Sequence, residues 1–354
     1  MSKLVKTNVV RRRLTKTLTK GIGSSSTGGL GVSSEKIKRV LISRPNHRLG
    51  NLLLITPLIQ EVERCFPEAR IDLFVKGGLS SVIFRNYSSI DRIIPLPRKP
   101  FSDLAGYLKA WMRLQKRSYD LVINVDMNSS SGRLSTQFAR GKHKLFGEVL
   151  DEAFWKKEDR EHFGKRSVCA LRSHSMPGQQ SPVADFPFMD LKLSPQELMQ
   201  GNRLLKEMGF DGERTISLFT YATGAKCYSE SWWEAFYERL QAELPEYRFV
   251  EVLPVENISR LSFRLPTFYS RDVREIGSFI AATALYIGAD SGITHLASAT
   301  GTACISLFSV TSELKYGPYH PNSRALHTRD LEETDLGQLL RAALRQEIPE
   351  EVSV

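Results

Sequence analysis

Short runs of β-branched and aliphatic residues recur along this chain, each paired with a stretch of helical periodicity, and this alternation constrains the fold more than any other feature. KRVLIS, RIDLFV, DRIIPL and YDLVINV occupy the region from Lys38 to Val125, with helix-length segments between them. Strands buried on both faces and linked by crossover helices form a parallel sheet. In the first helical stretch Ile55, Leu58, Ile59, Val62 and Phe66 follow the i, i+3, i+4, i+7, i+11 pattern of one packed face. Pro57 leaves two readings of its start. Either Thr56 caps a helix with Pro57 in its first turn, or the helix begins near Asn51 and kinks. A further helix ends near Arg117, and the strand over 119–125 closes at Asp126.

A second alternating series follows residues 177–195, PGQQSPVADFPFMDLKLSP, which are Pro-rich and aperiodic and therefore read as a boundary. The series predicts a helix over 196–208, the strand TISLF, a helix over 230–243, the strand YRFVEVL, a helix over 272–283, the strands ALYIGAD and ACISLF, and a C-terminal helix over 333–345. The chain has 354 residues, 41% of them hydrophobic, enough to fill two cores. The expected organisation is a basic arm and Gly/Ser linker over 1–36, a first domain over 37–180, a linker over 181–195, a second domain over 196–330, and a helix and tail over 331–354. The fold class is α/β, with two Rossmann-like domains facing across a cleft. Ligands of such sheets bind beyond the carboxyl ends of the strands.

Charge is unevenly spread. The formal net charge is +10, yet residues 1–34 hold seven Lys or Arg and no acid, while the other 320 residues hold 42 basic and 39 acidic side chains. A near-neutral body without interleaved aromatic and basic residues argues against nucleic-acid binding. The arm places Leu4, Val10, Leu14 and Leu18 opposite Arg12, Arg13, Lys16 and Lys20. Two readings stay open for it: a solvated extension, or peripheral docking of residues 1–20 on an anionic membrane. No secretory signal is apparent, and no apolar run approaches the ~18 residues of a membrane span. A cytoplasmic location is expected. Cys65, Cys169, Cys227 and Cys304 are irregularly spaced, and neither H-E-x-x-H nor D-x-D occurs, so neither a disulfide framework nor a metal site is expected.

Three segments fall at strand ends, where ligands should bind: RPNHRLGN (44–51), TYATGAKCY (220–228) and DSGITH (290–295). In the last, small residues at the start of a helix let backbone N–H groups approach an anion. An ordinary cap by Asp290 or Ser291, with His295 merely packing, is the competing reading. Lys226 is placed to neutralise a diphosphate, or else is a solvated surface lysine.

The segment IGADSGITHLASATGTACISLFSVTSELKYGPYHPNSR (287–324), together with RPNHRLGNLLLITPLIQEVERCFPEARIDLFV near the start, resembles glycosyltransferase family 9, the ADP-heptose:lipopolysaccharide heptosyltransferases. The likeness covers about residues 37–345. It implies a GT-B fold, with acceptor bound mainly by the first domain and a nucleotide-activated sugar, ADP-heptose, mainly by the second. It also implies inverting transfer without an essential metal or cofactor. Carried over by position, Lys226 resembles the lysine that touches the donor diphosphate. Asp290, Ser291, Gly292, Thr294 and His295 resemble the donor-binding segment, while Thr223 and Glu256 are looser matches in a region that is shortened around Glu256. Arg44 and Arg48 flank the glycine loop, and their guanidinium forks suit a carboxylate or phosphate of an anionic acceptor, with plain surface arginines as the competing reading; Gly50 and Asn51 of the same segment are further acceptor candidates. Asn128, in NSSSGR, is a further acceptor candidate, with a helix cap at Ser131 as the alternative reading of that segment. Arg133 is taken as a plain surface arginine.

Asn51 departs from the family pattern. Many members have Gly-Asp where this chain has Gly50-Asn51, and that aspartate is the family's proposed general base. An amide has no protonation equilibrium near neutral pH. His47 or Asp126 could act instead, transfer could rest on leaving-group stabilisation, or the protein could bind without catalysing. The expected function is heptose transfer, or transfer of a related sugar, from a nucleoside diphosphate to a lipopolysaccharide core or other lipid-linked glycan at the inner membrane face. The alternative is a non-catalytic sugar-nucleotide or glycan binder.

Overall fold

A computed structural model describes residues 23, 36–98, 102–150, 154–175 and 185–345. The proposed docking stretch, residues 1–20, most of the Gly/Ser linker and residues 177–184 of the Pro-rich linker lie outside the described residues.

The chain divides into two compact units. Unit 1 takes the described residues up to His47, with Pro57–Ser81 and Tyr87–Pro187; unit 2 takes Arg48–Thr56, Val82–Asn86 and the chain from Phe188.

Unit 1 holds β1 (Arg39–Arg44), β2 (Arg70–Lys76), β3 (Ile90–Leu96), β4 (Ser118–Asn124) and β5 (Arg140–Leu145) in a parallel sheet of order β3-β2-β1-β4-β5. The apolar runs form its centre, with Val40, Leu41, Ile42, Leu73, Phe74 and Val122 fully buried. The β5 strand, RGKHKL, was not foreseen, because it carries no apolar alternation. It sits at the sheet edge, where lysines deter pairing with another chain.

The ambiguity at Pro57 resolves into two helices, α1 (Leu49–Leu53) and α2 (Thr56–Cys65), with Pro57 in the first turn of α2. The Thr56 hydroxyl forms the joint, donating to the Leu53 carbonyl at 2.7 Å and accepting from the Asp190 N–H at 3.1 Å. Next come α3 (Leu79–Ile83), α4 (Leu104–Gln115), α5 (Ser130–Phe138), α6 (Lys157–Glu161) and α7 (Phe163–Ser175). Ser129, rather than Ser131, caps α5, accepting from the Gly132 N–H at 3.2 Å. Helix α7 is tied to α2 by a buried pair, in which Arg172 donates to both Glu61 oxygens at 2.8 and 2.9 Å. Burial works against the Glu61 charge, but Arg172 and Arg64 prevail and bring its pKa down to about 2.

Unit 2 holds β6 (Thr215–Phe219), β7 (Arg248–Val252), β8 (Thr267–Phe268), β9 (Leu285–Ala289), β10 (Cys304–Phe308) and β11 (Ser323–His327). Its order, β11-β10-β9-β6-β7-β8 with every pair parallel, is the Rossmann order 3-2-1-4-5-6 counted within the unit. The edge strands β8 and β11 were not foreseen, one being two residues long and the other, SRALH, lacking β-branched residues. The helices are α8 (Pro195–Glu207), α9 (Glu230–Glu243), α10 (Val273–Ala281), α11 (Gly292–Ser298), α12 (Glu313–Tyr316) and α13 (Leu336–Leu344). Their starts follow local capping chemistry: a Ser194–Glu197 capping box on α8, and Ser229, Asp272 and Asp335 on α9, α10 and α13. Trp233, Phe236 and Leu240 of α9 share a core with Ile216, Leu218, Ile287 and Ile305 of the sheet.

Arg274 accounts for the presence of Val82–Asn86 in unit 2. Its buried guanidinium donates to the carbonyls of Val82 and Ile83 at 3.3 Å, Leu191 at 3.1 Å and Lys192 at 3.0 Å, and to both oxygens of Glu197.

Candidate functional site

In unit 2 the chain leaves β6 toward β7 on one side of the sheet and leaves β9 toward β10 on the other. A doubly wound sheet opens its ligand crevice at such a reversal, beyond the carboxyl ends of the two strands. β6 runs into residues 220–228, and β9 runs into residues 290–295. Topology thus brings together two segments that are far apart in sequence.

Lys226 Nζ lies 3.0 Å from Asp290 Oδ2. The Thr311 hydroxyl, beyond β10, donates to the same oxygen. Asp290 is buried, while the Lys226 side chain keeps 28% exposure. The carboxylate therefore holds the ammonium in place without removing it from solvent, and the remaining N–H donors can meet an incoming anion. The lysine is delivered by a single 3₁₀ turn, Gly224–Lys226, which opens with Gly224 at φ +68°, a conformation that strains any residue with a Cβ. Thr223, just before the turn, is exposed.

On the opposite strand end, Ser291 occupies the N-cap position of α11, yet its hydroxyl makes no cap bond. The ordinary-cap reading of Ser291 therefore does not hold. Helix α11 has only seven residues, so what it offers is terminal N–H groups more than a long dipole. Thr294 is committed internally: its hydroxyl donates to the Ala289 carbonyl at 2.8 Å and lies 3.3 Å from the Tyr286 hydroxyl. This bonding fixes the turn after β9. His295 is buried, and desolvation pushes its pKa below the ordinary histidine value; Asp290 opposes the shift and Lys226 adds to it. The imidazole is therefore neutral at neutral pH, a hydrogen-bonding group without charge.

Gly50 and Gly292 let α1 come up against α11. A Cβ on Gly50 would lie 2.4 Å from His295 Cδ2, and one on Gly292 would lie 3.1 Å from Leu49 Cβ. The glycine loop is thus packed against the His295 segment within unit 2, and half-buried Asn51 follows on the same short helix.

The remaining candidates separate. Glu256 is exposed at a turn closed by the Asn257 N–H on the Pro254 carbonyl at 2.8 Å. The sequence reading passed over Glu251, a fully buried acid at the end of β7. Its oxygens accept from the hydroxyls of Thr220 and Ser259, and burial raises its pKa despite these bonds. Thr220 opens the segment that carries Lys226, and Ser259 in turn accepts from the N–H groups of Leu261 and Phe263 at 3.0 Å. Glu251 is therefore the brace under this edge of the site. One signal for it was available, a lone acid inside the apolar run RFVEV.

In unit 1 the equivalent reversal falls between β1 and β4, and it too carries an ion pair, Arg44 with Asp126. Arg44 is buried, and the other Asp126 oxygen accepts from the Asn128 N–H at 3.0 Å. His47, Arg48 and Asn128 are exposed. Arg133 is paired with Glu148 at 3.0 Å and donates to the Gly23 carbonyl. Among the described residues no group of three or more His, Cys, Asp or Glu side chains is gathered as a metal site.

Two parallel sheets of Rossmann type in one chain, the second with its reversal lined by Lys226 and Asp290, define the GT-B class of fold. Solved structures share it. The glycosyl transferase family 9 protein from Veillonella parvula superposes with TM-score 0.68 at 16% identity, covering 88% of this chain and 91% of that one. The E. coli heptosyltransferase WaaC with ADP gives 0.61 at 17% over 87% and 99%, and E. coli ADP-heptose lps heptosyltransferase II gives 0.62 at 17% over 88% and 99%. Within that class the chain is similar to glycosyltransferase family 9 (heptosyltransferase), whose sequence model matches residues 271–338, the stretch that holds Asp290 to His295. Lipopolysaccharide heptosyltransferase 3 of Escherichia coli (strain K12) is 25% identical over 298 residues, 77% of this chain and 83% of that protein.

Proposed function

We propose that this chain is an inverting, metal-independent glycosyltransferase that moves a heptose, or a related sugar, from a nucleoside diphosphate donor to a lipid-linked glycan such as a lipopolysaccharide core. The observation that carries the reading is the Lys226–Asp290–Thr311 cluster at the β6/β9 reversal, with Asp290 and Thr311 inside the segment that matches the family. Similarity to a protein named lipopolysaccharide heptosyltransferase 3, and to a fold solved with ADP, supports the donor and acceptor classes.

In this reading an acceptor hydroxyl attacks the anomeric carbon on the face opposite the diphosphate. The bond from that carbon to the diphosphate oxygen breaks, the nucleoside diphosphate leaves with the electron pair, and the configuration inverts. The ammonium of Lys226 meets the charge that grows on the departing oxygen, while Asp290 keeps the ammonium oriented. Neutral His295 and the first N–H groups of α11 can donate to phosphate oxygens without adding charge.

The acceptor proton needs another destination than Asn51. Asp126 already accepts from Arg44 and Asn128, which leaves exposed His47 as the better-suited base candidate. A base contributes about 10²–10⁴-fold, so transfer survives without the aspartate if leaving-group stabilisation is intact. We place the enzyme at the inner face of the cytoplasmic membrane, where such an acceptor is built.

Lys226→Ala tests the reading. Transfer from ADP-heptose to a cell-envelope acceptor extract should fall about 10²–10³-fold in kcat, with the chain still folded but at a lowered thermal midpoint, because buried Asp290 loses its ammonium partner. Wild-type turnover in this variant would remove Lys226 from the mechanism. Asn51 motivates the second reading, a non-catalytic binder. Calorimetric binding of the donor with no transfer to any acceptor would favour it.

A further inference from the structure

Helix α4 of unit 1 shows solvent an apolar stripe. Leu104, Leu108 and Met112 are 58%, 62% and 60% exposed, and four-residue spacing puts them on one line along the helix. Its opposite side is satisfied: Ala110 and Leu114 are buried in the unit's core, with Tyr107 and Trp111 packed against it. Phe138, 50% exposed at the end of α5, extends the stripe. Its ring meets Trp111 edge-on at 5.3 Å, and its carbonyl accepts from the Gln115 side chain. The stripe thus rests on an ordered aromatic base.

The charges beside the stripe have one sign. Residues 104–117 contain Lys109, Arg113, Lys116 and Arg117 and no acid. Arg117 is engaged by Asp72 and Asp91, whereas Lys109, Arg113 and Lys116 are exposed along the flank of the stripe. The nearest acid in sequence, Asp103, is the N-cap and accepts from the Gly106 N–H at 2.8 Å.

This charge selects the occupant. A second copy of the same face would set basic residues against basic residues. Residues 1–34, with seven Lys or Arg and no acid, would meet the same repulsion. An anionic lipid surface satisfies both parts, with aliphatic side chains entering the acyl boundary and ammonium and guanidinium groups among the headgroups. We propose that α4 and Phe138 form the membrane-contact face of this protein, lying in the plane of an anionic bilayer. The inference goes beyond the transferase reading. Vesicle binding needs neither donor nor acceptor, so either idea can fail while the other stands.

The test is sedimentation of the full chain with vesicles of phosphatidylethanolamine and phosphatidylglycerol, and with phosphatidylcholine alone. Binding should require the anionic lipid. Combined Lys109→Glu, Arg113→Glu and Lys116→Glu should weaken it about 100-fold or more. Combined Leu104→Ser, Leu108→Ser and Met112→Ser should weaken it about tenfold or more. All six side chains are exposed, so the thermal midpoint should hold; Leu108→Gln alone provides a milder check. A chain lacking residues 1–34 should keep binding that these substitutions weaken to the same extent. The proposal is overturned if both α4 variants bind like the wild type, or if removing residues 1–34 alone ends binding. It is equally overturned if the α4 variants convert a dimer to a monomer in solution, which would make the face a contact between copies.

Discussion

Gly50 shows how one residue can carry a constraint invisible in its own neighbourhood. In the sequence it reads as part of a flexible loop before a helix; in the structure its missing Cβ is what admits the His295 ring, with an added Cβ 2.4 Å from Cδ2. His295 is buried and has little room to yield. Gly50→Ala should therefore cost about 1–3 kcal/mol, read as a lowered midpoint in thermal or urea unfolding, and should weaken donor binding at the same time. An unchanged midpoint would mean that α1 can move away from α11 at no cost. Lys226 and Asp290 were both legible as site candidates from their strand-end positions. Their partnership through Asp290 Oδ2, shared with Thr311, was not, because 64 residues separate the first pair and pattern rules reach only a few positions along a chain. Glu251 was missed for a related reason. A strand pattern marks it as buried but does not name the two hydroxyls that make burial tolerable.

Central strands and locally marked helices were read well, whereas helix α7 and three of the four edge strands were not. The helix over 230–243 was placed at the observed bounds of α9, since a serine cap and an aromatic stripe mark it locally. Strands β5, β8 and β11 escaped because an edge strand is held by main-chain bonds to one neighbour and needs no apolar alternation. Arg274 of α10 belongs to the same scale, since it links three stretches of chain through one guanidinium. Arg274→Ala leaves four carbonyls and part of Glu197 without their donor. We expect a loss of about 3–5 kcal/mol, visible as a depressed urea midpoint. Faster amide exchange should accompany it in the α3 end and in residues 191–197, and wild-type exchange there would show that other contacts hold these segments. Glu197 reports the same coupling: Arg274 draws its pKa down to about 2.

At the scale of the whole molecule, the units are not two consecutive pieces of sequence. Residues 48–56 and 82–86 pack with the unit that begins at Phe188, through α1 on α11 and through Arg274. A fragment spanning Phe188–Val354 should accordingly unfold at a lower temperature than the corresponding transition in the full chain and tend to aggregate, because α11 would lose α1 and Arg274 would lose the Val82 and Ile83 carbonyls. Equal midpoints in calorimetry would show that the two short segments add nothing to the stability of unit 2.

By itself the sequence determined the α/β class, the two parallel sheets, the starts of α8, α9 and α10 to within a residue, and the short list of polar residues at strand ends. These follow from periodicity, capping and turn chemistry, which act over a few residues. Only the tertiary structure decided that the glycine loop seats on the His295 segment, that Asp126 is taken up by Arg44, and that the acid near the end of β7 braces the Lys226 loop. It also decided which apolar side of α4 stays in solvent. Each of these depends on which distant groups meet, and strand order and helix packing set those meetings after local preferences are already satisfied.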